Sequence, residues 1–213
     1  MPPPGPALWI AAWFPSLEAV GKLEAVGKLL AEGVDIEEKG GEFECTALHA
    51  AVLFGEDPLV VRLLLVSGAD VDARDINAWT PLHYATAYAE SEADAVCSVV
   101  KVGLLLDYNA DVSARCRAGN TPLHYAALWG NAPVTELLLA KGTEVSAKNC
   151  AGTTPRQVAT HWSHPAVAAM IEAEEVSRAK CAAFAMGLQD RLGAASCVNV
   201  LDEGVVRLVL EHV

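Results

Sequence analysis

The chain has 213 residues, 27 of them acidic and 15 basic, for a net charge of −12. Displacing counterions from a polyanion requires clustered Lys and Arg, so nucleic acid is a poor partner and a basic peptide or protein face the better complement. No apolar run approaches the ~18 residues of a membrane span, and the six cysteines (Cys45, Cys97, Cys116, Cys150, Cys181 and Cys197) form no CxxC pair, which reads as reduced thiols in the cytosol or nucleus.

The first element, Ala7 to Phe14, is apolar and lacks a basic leader, so it is read as a core-facing helix and not as a signal peptide. A perfect hexapeptide duplication follows, LEAVGK at 17–22 and again at 23–28. Six residues advance a helix by about 600°, leaving the second copy roughly 240° away from the face of the first. Removing one copy restores an ordinary helix, so the duplication is expected to loop out or overhang. Gly33 should end this helix in a left-handed conformation, before the acidic turn IEEKGGEFEC.

From Thr46 the pattern is TALHAAVLFG, then LVVRLLLVSG to Gly68, with Pro58 able to open the second helix. Thr80 opens TPLHYATAYA. The acidic excess that follows it, AESEADAVCS, is placed between two helices at the surface, because burying it would strand charges. Asn109 stands where Gly33 and Gly68 stood, as the next residue best able to turn left-handed. Thr121 opens TPLHYAALWG, and Thr154 opens TPRQVATHWS, which runs into EAEE without a terminating glycine. Residues 174–213 read as a helix through Leu192, a stop at Gly193, a loop to Asn199 and a last helix, LDEGVVRLVLEHV, apolar over more than one stripe.

Thr46, Thr80, Thr121 and Thr154 are 34, 41 and 33 residues apart, and a degenerate copy, PALWIAAWFP, begins at Pro6. A Thr-Pro-Leu-His-x-Ala signature at a period near 33 resembles the ankyrin repeat. The resemblance implies an all-α solenoid of helix-turn-helix units over 1–173, with repeats at 6–45, 46–79, 80–120, 121–153 and 154–173 and a helical extension at 174–213. It also implies a noncatalytic monomer that binds a protein or peptide through its concave groove and finger turns. A last repeat that departs from the pattern fits a capping role.

Candidates for chemistry are few. His49, His83 and His124 fall at one repeat position, so stacking sets them in a row instead of converging them on a metal; the resemblance makes them structural, tying adjacent turns together with Thr. His161 and His164 are i, i+3 neighbours without a third ligand nearby and read as incidental. No phosphate loop, nucleophile elbow or HExxH occurs, so neither an enzyme nor a cofactor is expected.

Aligning the repeats on TPLH places Phe14, Phe54, Tyr88, Trp129 and Trp162 in one column at the end of the inner helix. In the family this site and its predecessor, Trp13 in the first repeat, look into the groove. Aromatic side chains on a rigid frame make good partner anchors, and stacking of the rings on one another is the plain alternative. Trp79 sits on a finger, where it has little to pack against and is expected to meet a partner.

The fingers are graded in charge: −4 over 35–45 (Asp35, Glu37, Glu38, Glu42 and Glu44 against Lys39), −2 over 70–79 and +1 over 111–120. A basic partner end would lie toward the N-terminal repeats. The family's asparagine hydroxylation position holds Glu37, Asp72, Ser113 and Ser146 and is not carried over. Residues 201–213 resemble the first helix of an F-box, with Asp202 where proline is usual. The alternative function is therefore a substrate-receptor adaptor of a cullin-type ubiquitin ligase.

Overall fold

A computed structural model describes residues 6–13, 19–54, 57–87 and 92–192, with the side chains at 13, 19, 20, 92–96 and 185–192 also outside the description. The expected terminal helix at 201–213, and Phe14 and Tyr88, lie outside the described residues. Among the described residues ten helices form five successive pairs: α1 (Ala7–Trp13) with α2 (Ala19–Ala31), α3 (Ala47–Phe54) with α4 (Pro58–Val66), α5 (Pro81–Ala87) with α6 (Glu92–Asp107), α7 (Pro122–Trp129) with α8 (Ala132–Ala140), and α9 (Pro155–His161) with α10 (Pro165–Leu192). The chain divides into two compact units, Met1–Glu172 and Ala173–Val213. Among the described residues the second unit is the continuation of α10, which carries an i, i+4 ion pair between Glu174 and Arg178 at 2.8 Å.

Within the first unit the odd-numbered helices α1 to α9 each pack on the next, and α2, α4, α6 and α8 do the same. The cause is visible in the pattern. The Leu of each TPLH-type turn (Leu48, Leu82, Leu123) and its counterpart in the second helix (Leu64, Leu105, Leu138) are at most 1% exposed. Each such side chain stabilises by roughly 1.5–3 kcal/mol once a neighbouring pair covers it. Between them Ala50, Ala51, Ala85, Ala126 and Ala127, all nearly inaccessible, let the short inner helices approach closely.

Second helices end where the sequence places their stops: Gly33, Gly68, Gly142 and Asn109 occupy one position and all have positive φ, between 62° and 92°. Counting back from that stop, Leu23, Pro58, Val99 and Ala132 coincide. The duplication is therefore an overhang. Its second copy forms the aligned part of α2, and Ala19–Lys22 of the first adds a turn at the helix N-terminus. The excess in the third pair is handled the same way, which corrects the expectation of an inter-helix insertion: 92–98 are helical, making α6 16 residues long against 9 for α4 and α8. A helical extension satisfies its own backbone hydrogen bonds, which a loop of the same length would leave to solvent.

The histidines carry the connection between pairs. Each sits beside the threonine that opens its helix, whose backbone N–H donates to Nδ1 at 3.2 Å (Thr46 to His49), 3.1 Å (Thr80 to His83) and 3.1 Å (Thr121 to His124). The threonine hydroxyl lies 2.9 Å from the same nitrogen in all three. An accepting Nδ1 leaves the proton on Nε2, which donates to a carbonyl in the next turn: Trp79, Asn120 and Thr153, at 3.1–3.2 Å. In the last pair Gln157 replaces histidine, accepting from Thr154 N–H at 2.9 Å and reaching no further turn.

His164 also has a job that its sequence context concealed. Its Nε2 bonds the Leu128 carbonyl at 3.0 Å, and its ring lies against Gly130, whose φ is +68° and where a Cβ would collide with it. His161 is exposed and touches Trp162 edge-on. Lys101, buried on α6, donates to the Val52 carbonyl near the C-terminus of α3 at 2.7 Å, where the helix dipole favours its charge.

Because Nδ1 of His49, His83 and His124 faces a donor, protonating it sets two donors against each other. Burial is the larger cause of a lowered pKa in all three, and His83 falls to about 4. The unfolded chain then binds more protons than the folded one between about pH 6.5 and 4, so stability is full above that window and is lost as pH falls through it. We expect urea unfolding to show a loss on the order of 3 kcal/mol from His83 alone across this range. His83→Gln should flatten the profile, and a wild-type stability that is flat or rising on acidification would contradict the tie.

Candidate partner-binding groove

The fingers are four small hairpins, closed by backbone N–H donation from Gly40 to Cys45, Asp75 to Trp79, Cys116 to Asn120 and Asn149 to Thr153, at 2.8–3.1 Å. Each is tied to the next through backbone N–H groups: Ile76 to the Phe43 carbonyl, Arg117 to Asn77, and Cys150 to Ala118. A cation on each turn repeats the connection, with Lys39 donating to the Arg74 carbonyl, Arg74 to Arg115, and Arg115 to Lys148. Acidic side chains add to it on the other side: Glu37 accepts from Asp70 N–H and Asp72 from Asp111 N–H. Part of the graded finger charge is therefore structural, Glu37 included, whereas Glu38, Glu42 and Glu44 stand exposed.

One finger is braced from inside. Asp75 is buried, and its Oδ1 accepts from the backbone N–H of Asn77 at 2.8 Å and of Trp79 at 2.7 Å. Its Oδ2 accepts from the Tyr84 hydroxyl at 2.8 Å. Burial, then the bond it donates to Asp75, holds the Tyr84 phenol far above its ordinary pKa. Cys45 lies 3.7 Å from that hydroxyl, and burial raises its thiol pKa, so it is no reactive thiolate. Asn149 plays the same bracing part in the fourth finger, accepting from the Ala151 and Thr153 N–H groups at 3.0 Å.

Trp79 corrects the expectation that it has little to pack against. Its ring is partly buried, 4.9 Å from Tyr84 and 4.4 Å from Tyr125 by ring centroids, with His83 at 6.0 Å. The contiguous aromatic row of the groove thus runs through Tyr84, Trp79 and Tyr125. Both tyrosines follow the motif histidine, a position whose signal is legible in HYA at 83–85 and 124–126 and is separate from the column at the helix ends. Of that column, Phe54 and Trp129 end α3 and α7 and are each 44% exposed, and Trp162, just past α9, is 57% exposed. Trp13 lies in α1, but its side chain is outside the description.

Beside the first finger the row stops and a pocket of about 430 Å³ opens. The sequence explains the gap. Where α5 and α7 carry Tyr84 and Tyr125 after the motif histidine, α3 carries Ala50; where the second finger has Asp75, the first has Gly40 followed by Gly41. Trp9 of α1 packs directly on that glycine pair, so closely that a Cβ at Gly40 would meet its ring at 3.0 Å. The pocket is lined by Trp9, Phe43, Phe54, Trp79 and Tyr84 with Glu42 beside them, and among the described residues no Lys or Arg contributes to its lining. The repeat pattern points to Phe54 and Trp79 but not to the pocket, since its emptiness comes from small residues on two separate elements, the first finger and α3.

Among the described residues no group of three His, Cys, Asp or Glu side chains is placed to hold a metal, and no helix is long and apolar enough to cross a membrane. Stacked helix pairs, hairpin fingers and Thr–His ties define a helical repeat protein. The family model for ankyrin repeats (3 copies) matches residues 8–103 and 95–180, and the chain belongs to that family. Ankyrin repeats are generally noncatalytic modules for protein–protein interaction. No curated protein matches the chain.

If Asp75 braces the second finger through three donors, Asp75→Ala should cost about 2–3 kcal/mol in urea unfolding, because it orphans buried N–H and O–H groups. Asp75→Asn keeps an accepting oxygen, as Asn149 does, and should cost less than half as much. Equal losses would refute the bracing role.

Proposed function

We propose that the protein binds a partner protein or peptide, as a monomer, along its groove and fingers, with an anchoring side chain of the partner in the pocket between α1, α3 and the first two fingers. The supporting observation is that pocket: about 430 Å³, lined by five aromatic residues on a frame tied together by the Thr–His bonds. A preformed apolar recess on a rigid scaffold buries area at small entropic cost, the usual character of an energetic hot spot. Phe54 and Trp79 belong to it. Trp129 and Trp162 extend the exposed aromatic surface toward the later repeats, and Trp13, Phe14 and Tyr88 complete the proposed contact set. The adaptor alternative rests on 201–213, outside the described residues, and no structural observation favours it.

The direct test fills the recess. Ala50→Tyr places at α3 the residue that α5 and α7 already carry at that position, aimed at space the pocket leaves open. The partner that co-purifies with the wild-type chain should rebind it after purification and bind Ala50→Tyr at least about tenfold more weakly, a loss of roughly 1.4 kcal/mol. Undiminished binding to a folded Ala50→Tyr chain would remove the pocket from the interface.

The partner's face is basic, in complement to the exposed acids of the first finger. Glu38→Lys together with Glu44→Lys, neither of which makes a tie to the next finger, should slow association severalfold at low salt while leaving dissociation nearly unchanged. Stopped-flow kinetics that do not respond to the reversal would argue against a basic partner.

A further inference from the structure

The pocket's chemistry narrows what the anchor is. Resting on the groove reading above, we infer that the pocket takes an N-methylated lysine side chain, with the methylated ammonium among the aromatic rings and its charge facing Glu42.

Three features lead there. First, the lining is aromatic on several sides: Trp9 and Tyr84 are buried, Phe43 and Phe54 are open at 56% and 44% exposure, and Trp79 is held against Tyr84 and Tyr125. Ring faces attract cations through their quadrupoles, most strongly when the cation has shed its water. Second, among the described residues the one ionised group in the lining is a carboxylate, Glu42, and the neighbouring cation Lys39 is engaged on the Arg74 carbonyl. The first finger around the opening has a net charge of −4 over 35–45. Third, two of the polar side chains in the lining are already committed: the Tyr84 hydroxyl donates to Asp75, and both His49 ring nitrogens are bonded.

The third feature separates methylated from ordinary lysine. An unmodified ammonium brings three N–H donors and a tight hydration shell; Glu42 accepts from part of that set, but the ring faces that make up most of the lining replace neither the remaining hydrogen bonds nor the lost water. Trimethylation removes every N–H, spreads the charge over an apolar surface and weakens hydration, while the attraction to the rings and to Glu42 persists. A purely apolar anchor would fill the space equally well but gain nothing from the carboxylate. The volume, within the range of small-ligand sites, holds the alkyl stem as well as its head.

The experiment uses the full chain and three acetylated, amidated pentapeptides, Gly-Ala-X-Ala-Gly, followed by tryptophan fluorescence and by NMR of the indole N–H signals. X is lysine, trimethyllysine, or the uncharged isostere with a tert-butyl carbon in place of the quaternary nitrogen. Trimethyllysine should bind about fivefold or more tighter than each of the others. Glu42→Gln should narrow its advantage over the isostere, and Phe43→Ala, an exposed position safe for folding, should weaken it further. Equal or tighter binding of the isostere would show an apolar anchor instead, and equal binding of lysine would show that methylation is not read. Absence of any shift at millimolar peptide would show that the pocket takes none of them, and each of these three results overturns the inference.

The groove reading is judged separately by the partner's response to Ala50→Tyr. A partner lost on Ala50→Tyr with no trimethyllysine selectivity leaves the groove standing and the methylated anchor refuted. Selectivity without any effect of Ala50→Tyr on the partner does the reverse.

Discussion

Everything in the first unit depends on a bond that spans two repeats: a neutral imidazole accepting from the threonine N–H of its own turn and donating to a carbonyl of the next. The helices are seven or eight residues long on the inner side, too short to be stable alone. Apolar stacking supplies the driving force, but Leu and Ala surfaces tolerate sliding. The imidazole does not, because its two nitrogens fix both the distance and the direction to the adjacent finger. Repeating that bond three times ties each of those inner helices to the hairpin that follows it, and the groove is what lies between the hairpins and the inner helices.

Architecture was legible in the sequence because repetition makes each position its own control. The Thr-Pro-Leu-His register gave the helix pairs, Gly33, Gly68 and Gly142 marked the ends of second helices, and Asn109 could be read as their substitute only by alignment with them. Length changes were harder. The excess after Ala87 reads as an inter-helix insertion because it is acidic, yet charge does not distinguish an insertion from an added length of helix, and Glu92–Ser98 is helical. His164 was opaque for a different reason: its partners, the Leu128 carbonyl and bare Gly130, are backbone features a sequence does not display.

The site was half legible. A column of aromatic residues can be read by eye, but a pocket is defined by what is missing, and Ala50, Gly40 and Gly41 look unremarkable each in its own repeat. Only the comparison of Ala50 with Tyr84 and Tyr125, joined to the knowledge that Trp9 lies on the glycine pair, turns three small residues into a recess. Trp79 teaches the converse. A finger position suggested isolation, yet the neighbouring repeat delivers Tyr125 to its face, and the residue serves as wall as much as contact.

The turn added to α2 lies upstream of the point from which the stacked helices keep common register. Length gained there changes no buried contact downstream, because the anchored end at Gly33 and the aligned stretch from Leu23 onward stay where they are. Growth by whole hexapeptides at the N-terminal end of this helix therefore leaves the register of the stack unchanged, whereas the same six residues placed after Leu23 would rotate Leu29 and Leu30 off the core. Such a helix can vary in reach from one version of the chain to another while the surface behind it remains constant.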